Sequence, residues 1–301
     1  MVASVESTVS AECVAADATF SQRELEQYRS EGYVVIPNLF DRAELERTYA
    51  CIRELTRAAL ASSDHSKIME LEPESVDGER VPRRIYDPFE QHEAFRALAT
   101  SPKIMDRIEK LIGPSFGIQH SKLNMKPAKV GSVVDWHQDL TYFPHTNSDL
   151  VTTLVYLDDA TEENGCLQVL PRHHHHFFNH ALPDGTFAGM ITDDVSDGRY
   201  GRAVPLPAPA GSVIFMHCIL PHSSLPNRSI KPRRTLIYEY RAADAFPIYF
   251  ADSVVQYEAK AHHLRGKPAT TARFGGPAPV IPKLKSTMKS LYEMQRAAKK
   301  Q

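Results

Sequence analysis

Trp136-His137-Gln138-Asp139 and, far downstream, Pro221-His222-Ser223-Ser224-Leu225-Pro226-Asn227-Arg228-Ser229 with the Arg233-Arg234 pair beyond it decide the reading of this chain. Two imidazoles and one carboxylate, drawn from a close pair and a distant third residue, are the donor set of a facial non-haem Fe(II) site, which leaves one face of the metal open. In a strand, residues two apart share a face, so His137 and Asp139 can converge on one ion while Trp136 and Gln138 point away. A bidentate 2-oxo acid fits two of the open positions and O2 the third, with a cation near the distal His to hold the acid's far carboxylate. With 14 His in the chain, a His-x-Asp triplet arises about once by chance. The downstream block therefore carries the weight.

The segments from Phe116 onward are short, rich in β-branched and aromatic residues, and separated by Gly, Pro, Asn and Asp. They predict strands at Gly117–Met125, Val133–His137, Val151–Leu157, Cys166–Leu170, Ser212–His217 and Thr235–Tyr240. Consecutive strands without helices between them indicate a sandwich or jelly roll. Upstream, Ser21-Gln22-Arg23-Glu24 is a capping box for a short helix ended by Gly32, and Tyr33-Val34-Val35-Ile36 is an apolar strand. Asp41-Arg42-Ala43-Glu44 opens a second helix running to about Ala61, and a third is expected near Glu93–Leu111, with Pro102 suited to a first helical position. Residues 62–84, charged and rich in turn formers, read as a loop or lid. A final helix is expected near Lys283–Lys299. Residues 1–19 lack periodicity and read as a flexible tail, so 20–301 is expected to be a single domain whose β core spans about 116–243.

The order Gly211-Ser212-Val213-Ile214-Phe215-Met216-His217, Pro221-His222, Pro226-Asn227-Arg228-Ser229 and Pro232-Arg233-Arg234 resembles that of the phytanoyl-CoA dioxygenase family of Fe(II)/2-oxoglutarate oxygenases. The resemblance runs from roughly Ser21 to Ala243. It implies a mainly β fold, a double-stranded β-helix buttressed by N-terminal helices. It implies Fe(II) on His137, Asp139 and His222, with 2-oxoglutarate and O2 as cosubstrates. Arg233, eleven positions after His222, matches the arginine that pairs with the C5 carboxylate, and His120 and Asn124 fall where related enzymes have polar contacts to the cosubstrate. Where the family commonly has Pro-Gly-Ser-His, this chain has Pro171-Arg172-His173-His174-His175-His176, so no role of that loop carries over. Related halogenases replace the metal-binding carboxylate by a small residue; Asp139 argues against that reaction.

Several positions have local competitors. His217 ends the same apolar segment that precedes His222 and reads as a core histidine. Arg233 and Arg234 alternate in facing, so one enters the pocket and register favours Arg233. Ser224 is either a hydroxyl contact to the same carboxylate or a turn-stabilising residue beside Pro226-Asn227. Four consecutive histidines cannot converge on one ion in regular structure, so His173–His176 is expected to be a loop at the barrel mouth, with His174 as a substrate contact. Tyr142, Phe143 and His145 are the other substrate-pocket candidates, against a default of hydrophobic core.

With 35 Lys+Arg against 37 Asp+Glu and a formal charge of -2, the chain lacks the basic excess of a nucleic-acid binder. A small-molecule substrate is favoured. Cys13, Cys51, Cys166 and Cys218 are far apart, which fits reduced thiols rather than a disulfide framework or zinc ribbon. The absence of a signal-like N-terminus or long apolar run gives a cytoplasmic expectation with no membrane partner. The expected activity is therefore hydroxylation or desaturation of a C–H bond in a small metabolite, in a biosynthetic setting, with release of succinate and CO2. A zinc-dependent hydrolase on the same ligands explains the metal motif but not Arg233. A catalytically silent binding module would be expected to have lost a ligand, and none is missing.

Overall fold

The computed structural model describes residues 19–62, 64–66, 68–73, 78–248, 258, 261–278 and 291–300. Apart from Thr19, the expected tail lies outside the described residues, as does the start of the expected last helix, of which Leu291–Ala298 is seen (α6). At the N-terminal side, Gln22–Glu31 (α1) and Arg42–Ala61 (α2) begin at complete capping boxes on Ser21 and Asp41. In the second box, Glu44 N donates to Asp41 Oδ1 at 2.9 Å while Glu44 Oε2 accepts from Asp41 N at 2.8 Å. These reciprocal bonds satisfy donors that the first helical turn leaves unpaired.

The helix expected over Glu93–Leu111 is two helices, Glu93–Ala99 (α4) and Pro102–Ile112 (α5), preceded by the short Pro88–Gln91 (α3). Pro102 has no N–H to continue α4, and Ser101 caps Lys103 N at 3.3 Å to start a new helix. The stretch expected to be a loop at 62–84 is also corrected. Met69–Leu71 (β2) and Pro82–Tyr86 (β3) pair with each other there. Their charged residues hid the strand signal: Arg83 pairs with Glu70 while Met69 and Ile85 are buried.

The remaining strands are Tyr33–Ile36 (β1), Phe116–Lys126 (β4), Val134–His137 (β5), Leu150–Tyr156 (β6), Leu167–Val169 (β7), Val204–Pro205 (β8), Val213–His217 (β9), His222–Ser224 (β10), Arg233–Ala242 (β11) and His262–Arg265 (β12). One sheet runs β1-β9-β6-β11-β4-β3-β2, with β12 also on β4; the other runs β5-β10-β7-β8. All their pairings are antiparallel. From β4 to β7 the chain alternates between the two sheets, and after a long connection to β8, which pairs with β7, it alternates back through β11. That path is a double-stranded β-helix.

The two-residue period of each strand divides its side chains between two cores. On β11, Leu236, Tyr238 and Tyr240 belong to the large outer core beneath the helices, together with Phe215, Phe95 and Ile104. Ile237 faces the other way, into the barrel with Leu154, Ile214, Met216 and Val169. Tyr238 and Tyr240 donate to the carbonyls of Phe95 and Ala99 at 2.6 and 2.7 Å, tying α4 to the sheet. On β4, a register shift opposite Glu239/Tyr240 pairs Glu239 with His120 and Tyr240 with Ile118. This bulge reverses the facing beyond it, so Lys122, Asn124 and Lys126 face the barrel while Leu123 and Met125 join the outer core.

Gly211 forms the turn into β9 with φ +87, and a Cβ placed there would stand 1.9 Å from Phe40 O. Gly211→Ala combines a left-handed backbone with an overlap against main chain, and is expected to cost at least about 2 kcal/mol. The denaturant midpoint reads this; an unchanged midpoint would mean the turn relaxes freely. Among the described residues, no helix is long and apolar enough to cross a membrane.

Candidate metal centre

His137 closes β5, His222 opens β10, and the two are register partners across that antiparallel pair. Their ring centroids are 4.1 Å apart. Asp139 lies two residues beyond the end of β5. Gln138 is extended (φ -123, ψ 126), and Asp139 begins a 3-10 turn over Asp139–Thr141. The extended link preserves the two-residue facing, and the turn then leads the chain away. Asp139 Oδ1 is 3.8 Å from His137 Nε2, and Asp139 Oδ2 is 3.8 Å from His222 Nε2. One donor atom from each of the three residues falls within 4.8 Å of the others, and all three are buried.

Both imidazoles are oriented in the same way. Nδ1 of His137 is 2.8 Å from Asp135 O, and Nδ1 of His222 is 3.0 Å from Leu220 O. A carbonyl can only accept, so Nδ1 carries the proton and the Nε2 lone pair turns toward Asp139. Burial lowers the pKa of both rings, and for His137 the neighbouring His222 adds to it. Neutral imidazole is the form that binds a metal. Burial pushes the Asp139 carboxyl up, but Lys122, the two imidazoles and the Thr152 hydroxyl hold it below the usual carboxylate range.

Gln138, fully buried between the ligands, is fixed at both ends of its amide. Nε2 donates to His176 O at 2.9 Å and to Ile219 O at 2.6 Å, and Oε1 accepts from Phe178 N at 2.8 Å. Lys126 acts similarly from β4. Its ammonium donates to Ser132 O, to Leu225 O at 2.7 Å and to Ser224 O at 3.4 Å, drawing the end of β10 onto the barrel wall. Burial, and then Arg233 beside it, lower the pKa of that ammonium well below the ordinary lysine value.

Behind Asp139 lies a carboxylate that the sequence reading missed. Thr152 Oγ1 is 2.9 Å from Asp139 Oδ2 and 2.7 Å from Glu239 Oε2. One hydroxyl has one proton, so it cannot donate to two carboxylates at once. Burial, then the charge on Asp139, push the Glu239 carboxyl up to about 8. A protonated Glu239 donates to Thr152, which donates to Asp139.

The cleft beside the three donors is lined by Lys122, Asn124, Val134, Leu154, Ser224, Arg233, Tyr292 and others. Arg233 is buried, with Nη1 donating to Thr235 Oγ1 at 2.6 Å and Nε lacking any hydrogen-bond partner. No carboxylate among the described residues pairs with it. Arg234 faces outward, where Asp158 takes its guanidinium in a two-pronged pair of 2.8 and 2.6 Å. The structure thus brings His137, Asp139, His222, Arg233, Asn124 and Ser224 together.

The remaining candidates lie elsewhere. His120 packs edge-on against Phe143 (centroids 5.0 Å) and borders a separate small cavity with Phe89 and Ser121. Tyr142 stands edge-on to His137 at 5.8 Å and donates to Gly189 O, without lining the cleft. Phe143 belongs to a side core with Leu140 and Leu150. His145, buried against Phe143 O at 2.5 Å, has a pKa lowered to about 3 by burial, so it is a packed neutral ring. His174 packs over Gly32, where an added Cβ would stand 2.6 Å from its Nδ1, and its Nε2 is 3.2 Å from Arg29 O. The histidine loop thus folds onto the end of α1, because Gly32 leaves room for the ring.

His217 shares the parity of Phe215 and lies against the His174 ring at 5.3 Å, away from Asp139. His217→Ala is expected to leave Fe(II) affinity within about twofold and to cost about 1–3 kcal/mol of stability. Metal titration and thermal unfolding of the same variant check both. A folded variant that cannot hold iron would reassign the downstream ligand.

Two imidazoles and a carboxylate at the mouth of a double-stranded β-helix, beside a buried arginine that has no carboxylate partner among the described residues, define the Fe(II)/2-oxoglutarate oxygenase class. Residues 28–235 match the family model described as phytanoyl-CoA dioxygenase (PhyH). The chain is 30% identical over 239 residues to a "Probable alpha-ketoglutarate-dependent hypophosphite dioxygenase" of Stutzerimonas stutzeri, covering 77% of this chain and 82% of that protein. It is 27% identical over 268 residues to a "Methylphosphonate hydroxylase" of Gimesia maris, covering 84% and 98%. EctD from S. alaskensis, whose crystal structure holds Fe, has the same fold at TM-score 0.65 and 23% identity, over 88% of this chain and 90% of that one. The chain belongs to the phytanoyl-CoA dioxygenase family, and is accordingly an Fe(II)- and 2-oxoglutarate-dependent dioxygenase.

Proposed function

We propose that the chain oxidises an unactivated C–H bond of a small metabolite, by hydroxylation or desaturation, using His137, Asp139 and His222 to hold Fe(II) and Arg233 to hold 2-oxoglutarate. The observation that carries this reading is the juxtaposition of three converging donors with a buried guanidinium whose Nε has no partner. A carboxylate is the group that satisfies such a guanidinium best. The donor set fits Fe(II), and two neutral imidazoles with one carboxylate leave a complex of low net charge. Iron with 2-oxoglutarate and O2 supplies the oxidising chemistry, the cosubstrate leaving as succinate and CO2.

The protein's own part is placement. The carbonyls of Asp135 and Leu220 orient the rings, Thr152 fixes one oxygen of Asp139, and Gln138 locks the segment between the ligands. Ser224 and Asn124 stand on the cleft wall with Arg233, as polar contacts for the cosubstrate, while Val134 and Leu154 exclude water around it. Residues 20–301 form one unit in this reading, since α6 from the far end of the chain brings Tyr292 to the cleft. The relatives named for hypophosphite and methylphosphonate support a small-molecule substrate. A biosynthetic role and a cytoplasmic setting complete the reading.

Metal replacement tests it. Chelator-treated protein is expected to regain 2-oxoglutarate-dependent succinate release with Fe(II) and not with Zn(II). Turnover of ester or amide substrates with Zn(II), without succinate, would favour the hydrolase.

A further inference from the structure

Helix α6 docks on the barrel by polar contacts. Its buried residues, Tyr292, Gln295 and Ala298, fall three apart on one side, yet none of them joins the three hydrophobic cores formed among the described residues. The Tyr292 ring, on the cleft wall, lies 4.2 Å from the Arg83 guanidinium and 5.1 Å from that of Arg84. Eight residues are too few to hold a helix in water unaided, so α6 depends on its docking.

Gln295 carries that docking. It is 3% exposed, and both ends of its amide meet main chain: Nε2 donates to Gly189 O at 2.8 Å, and Oε1 accepts from Asp135 N at 3.1 Å. β5 is the edge of its sheet, with β10 on one side only, and the outward backbone groups of an edge strand need other partners. Gln295 supplies one.

The residue it holds is also the one that holds His137. Asp135 O accepts the Nδ1 proton of His137 at 2.8 Å while Asp135 N donates to Gln295, so two bonds on one residue link the helix to a metal ligand. Gly189 completes the ring of contacts. Its carbonyl accepts from the Tyr142 hydroxyl as well as from Gln295, and the Tyr142 ring stands against the His137 imidazole. Gly189 has φ +69, and a Cβ there would stand 3.0 Å from the Met294 Cβ, so glycine lets α6 approach this closely.

We propose that Gln295 is a positioning residue of the metal centre: by holding Asp135 and Gly189 together, its amide sets the direction of the His137 imidazole and keeps Tyr292 over the cleft. This rests on His137 as an iron ligand, and it extends the site to a part of the chain beyond residues 28–235, the span of the family match. A side chain that only fastened α6 would leave the ligand untouched.

The first measurement uses metal-free protein. Gln295→Met keeps the side chain's length without its donor and acceptor, and is expected to speed amide hydrogen exchange at Asp135 while thermal unfolding stays close to that of the wild type, since α6 lies outside the cores. The second is anaerobic Fe(II) titration without cosubstrate. Gln295→Met is expected to bind Fe(II) roughly tenfold more weakly, the lower end of the loss typical for an outer partner of a ligand; Gln295→Ala serves the same comparison if the methionine variant does not fold. Gln295→Glu, which keeps an acceptor for Asp135 N, is expected to bind Fe(II) more tightly than either. Lys299→Ala removes only the partly exposed pair between Lys299 Nζ and Asp135 Oδ1 at 2.7 Å and is expected to stay within about twofold of the wild type. Unchanged exchange at Asp135, unchanged Fe(II) affinity on loss of the amide, a Gln295→Glu variant no tighter than Gln295→Met, or an equal loss in Lys299→Ala would overturn the proposal. A wild type that binds Fe(II) but gives no 2-oxoglutarate band would overturn the oxygenase reading and leave the Gln295 comparison standing.

Discussion

Asp139→Ala and His137→Ala are expected to lose Fe(II)-dependent turnover entirely while keeping the fold. Each removes one of the three donors that converge among the described residues, and the loss in metal affinity is expected to exceed the roughly 10–100-fold typical of removing a mere outer partner of a ligand. The residues sit where β5 ends, beside the cleft rather than in the large core beneath the helices. Thr152 still holds Glu239 in the Asp139 variant, so no new buried carboxylate is stranded without a donor. Iron content after anaerobic reconstitution, succinate yield and thermal unfolding measure the three parts of this statement. Full activity with iron retained in both variants would sink the assignment.

What made the site legible was parity. The two-residue period that unites His137 and Asp139 survives although Asp139 lies in a 3-10 turn, because Gln138 stays extended. The same period separates Arg233 from Arg234 and His217 from the barrel interior. What stayed hidden depended on register between distant strands. Glu239 and Thr152 are opposite each other on β11 and β6, and no local pattern announces that pairing. Lys122 was within reach of the sequence, since it shares the face of Asn124 on β4. Tyr292 was not, because it reaches the cleft from a helix that begins 49 residues beyond the end of β11.

The aromatics and histidines that the structure packs outside the cleft have a common cause. Phe143 and His145 follow the ligand pair closely in sequence, but the turn at Asp139–Thr141 sends the chain into a side core. His174 was drawn toward the substrate by its position in the loop, whereas the cap of α1 at Gly32 offered a fitted space. Strands β2 and β3 were obscured by Glu70, Arg83 and Arg84, charged residues that an edge of the sheet accommodates by pairing them with one another or with Asn124.

Arg233→Ala carries the second large effect. If its guanidinium pairs with the C5 carboxylate of 2-oxoglutarate, truncation leaves that carboxylate unpaired in a cleft walled by Val134 and Leu154, a loss of about 2–5 kcal/mol. That is roughly thirty-fold to several-thousand-fold weaker cosubstrate binding. Iron affinity is expected to change little. Arg234→Ala removes a partner of Asp158 on the outer face and is expected to leave 2-oxoglutarate affinity within about twofold while costing about 0.5–1.5 kcal/mol of stability. Loss of 2-oxoglutarate in Arg234→Ala alone would shift the register by one residue. Loss in neither would detach the cosubstrate from this wall.

One chain is expected to hold one Fe(II) and, against it, one 2-oxoglutarate. The direct measurement is an anaerobic titration of the iron-loaded protein with 2-oxoglutarate, followed by admission of O2 and quantification of succinate. A visible charge-transfer band is expected that saturates at one equivalent, requires both iron and cosubstrate, and decays on oxygenation with succinate formed from the 2-oxoglutarate consumed. Tight metal binding with no such band and no succinate would contradict it.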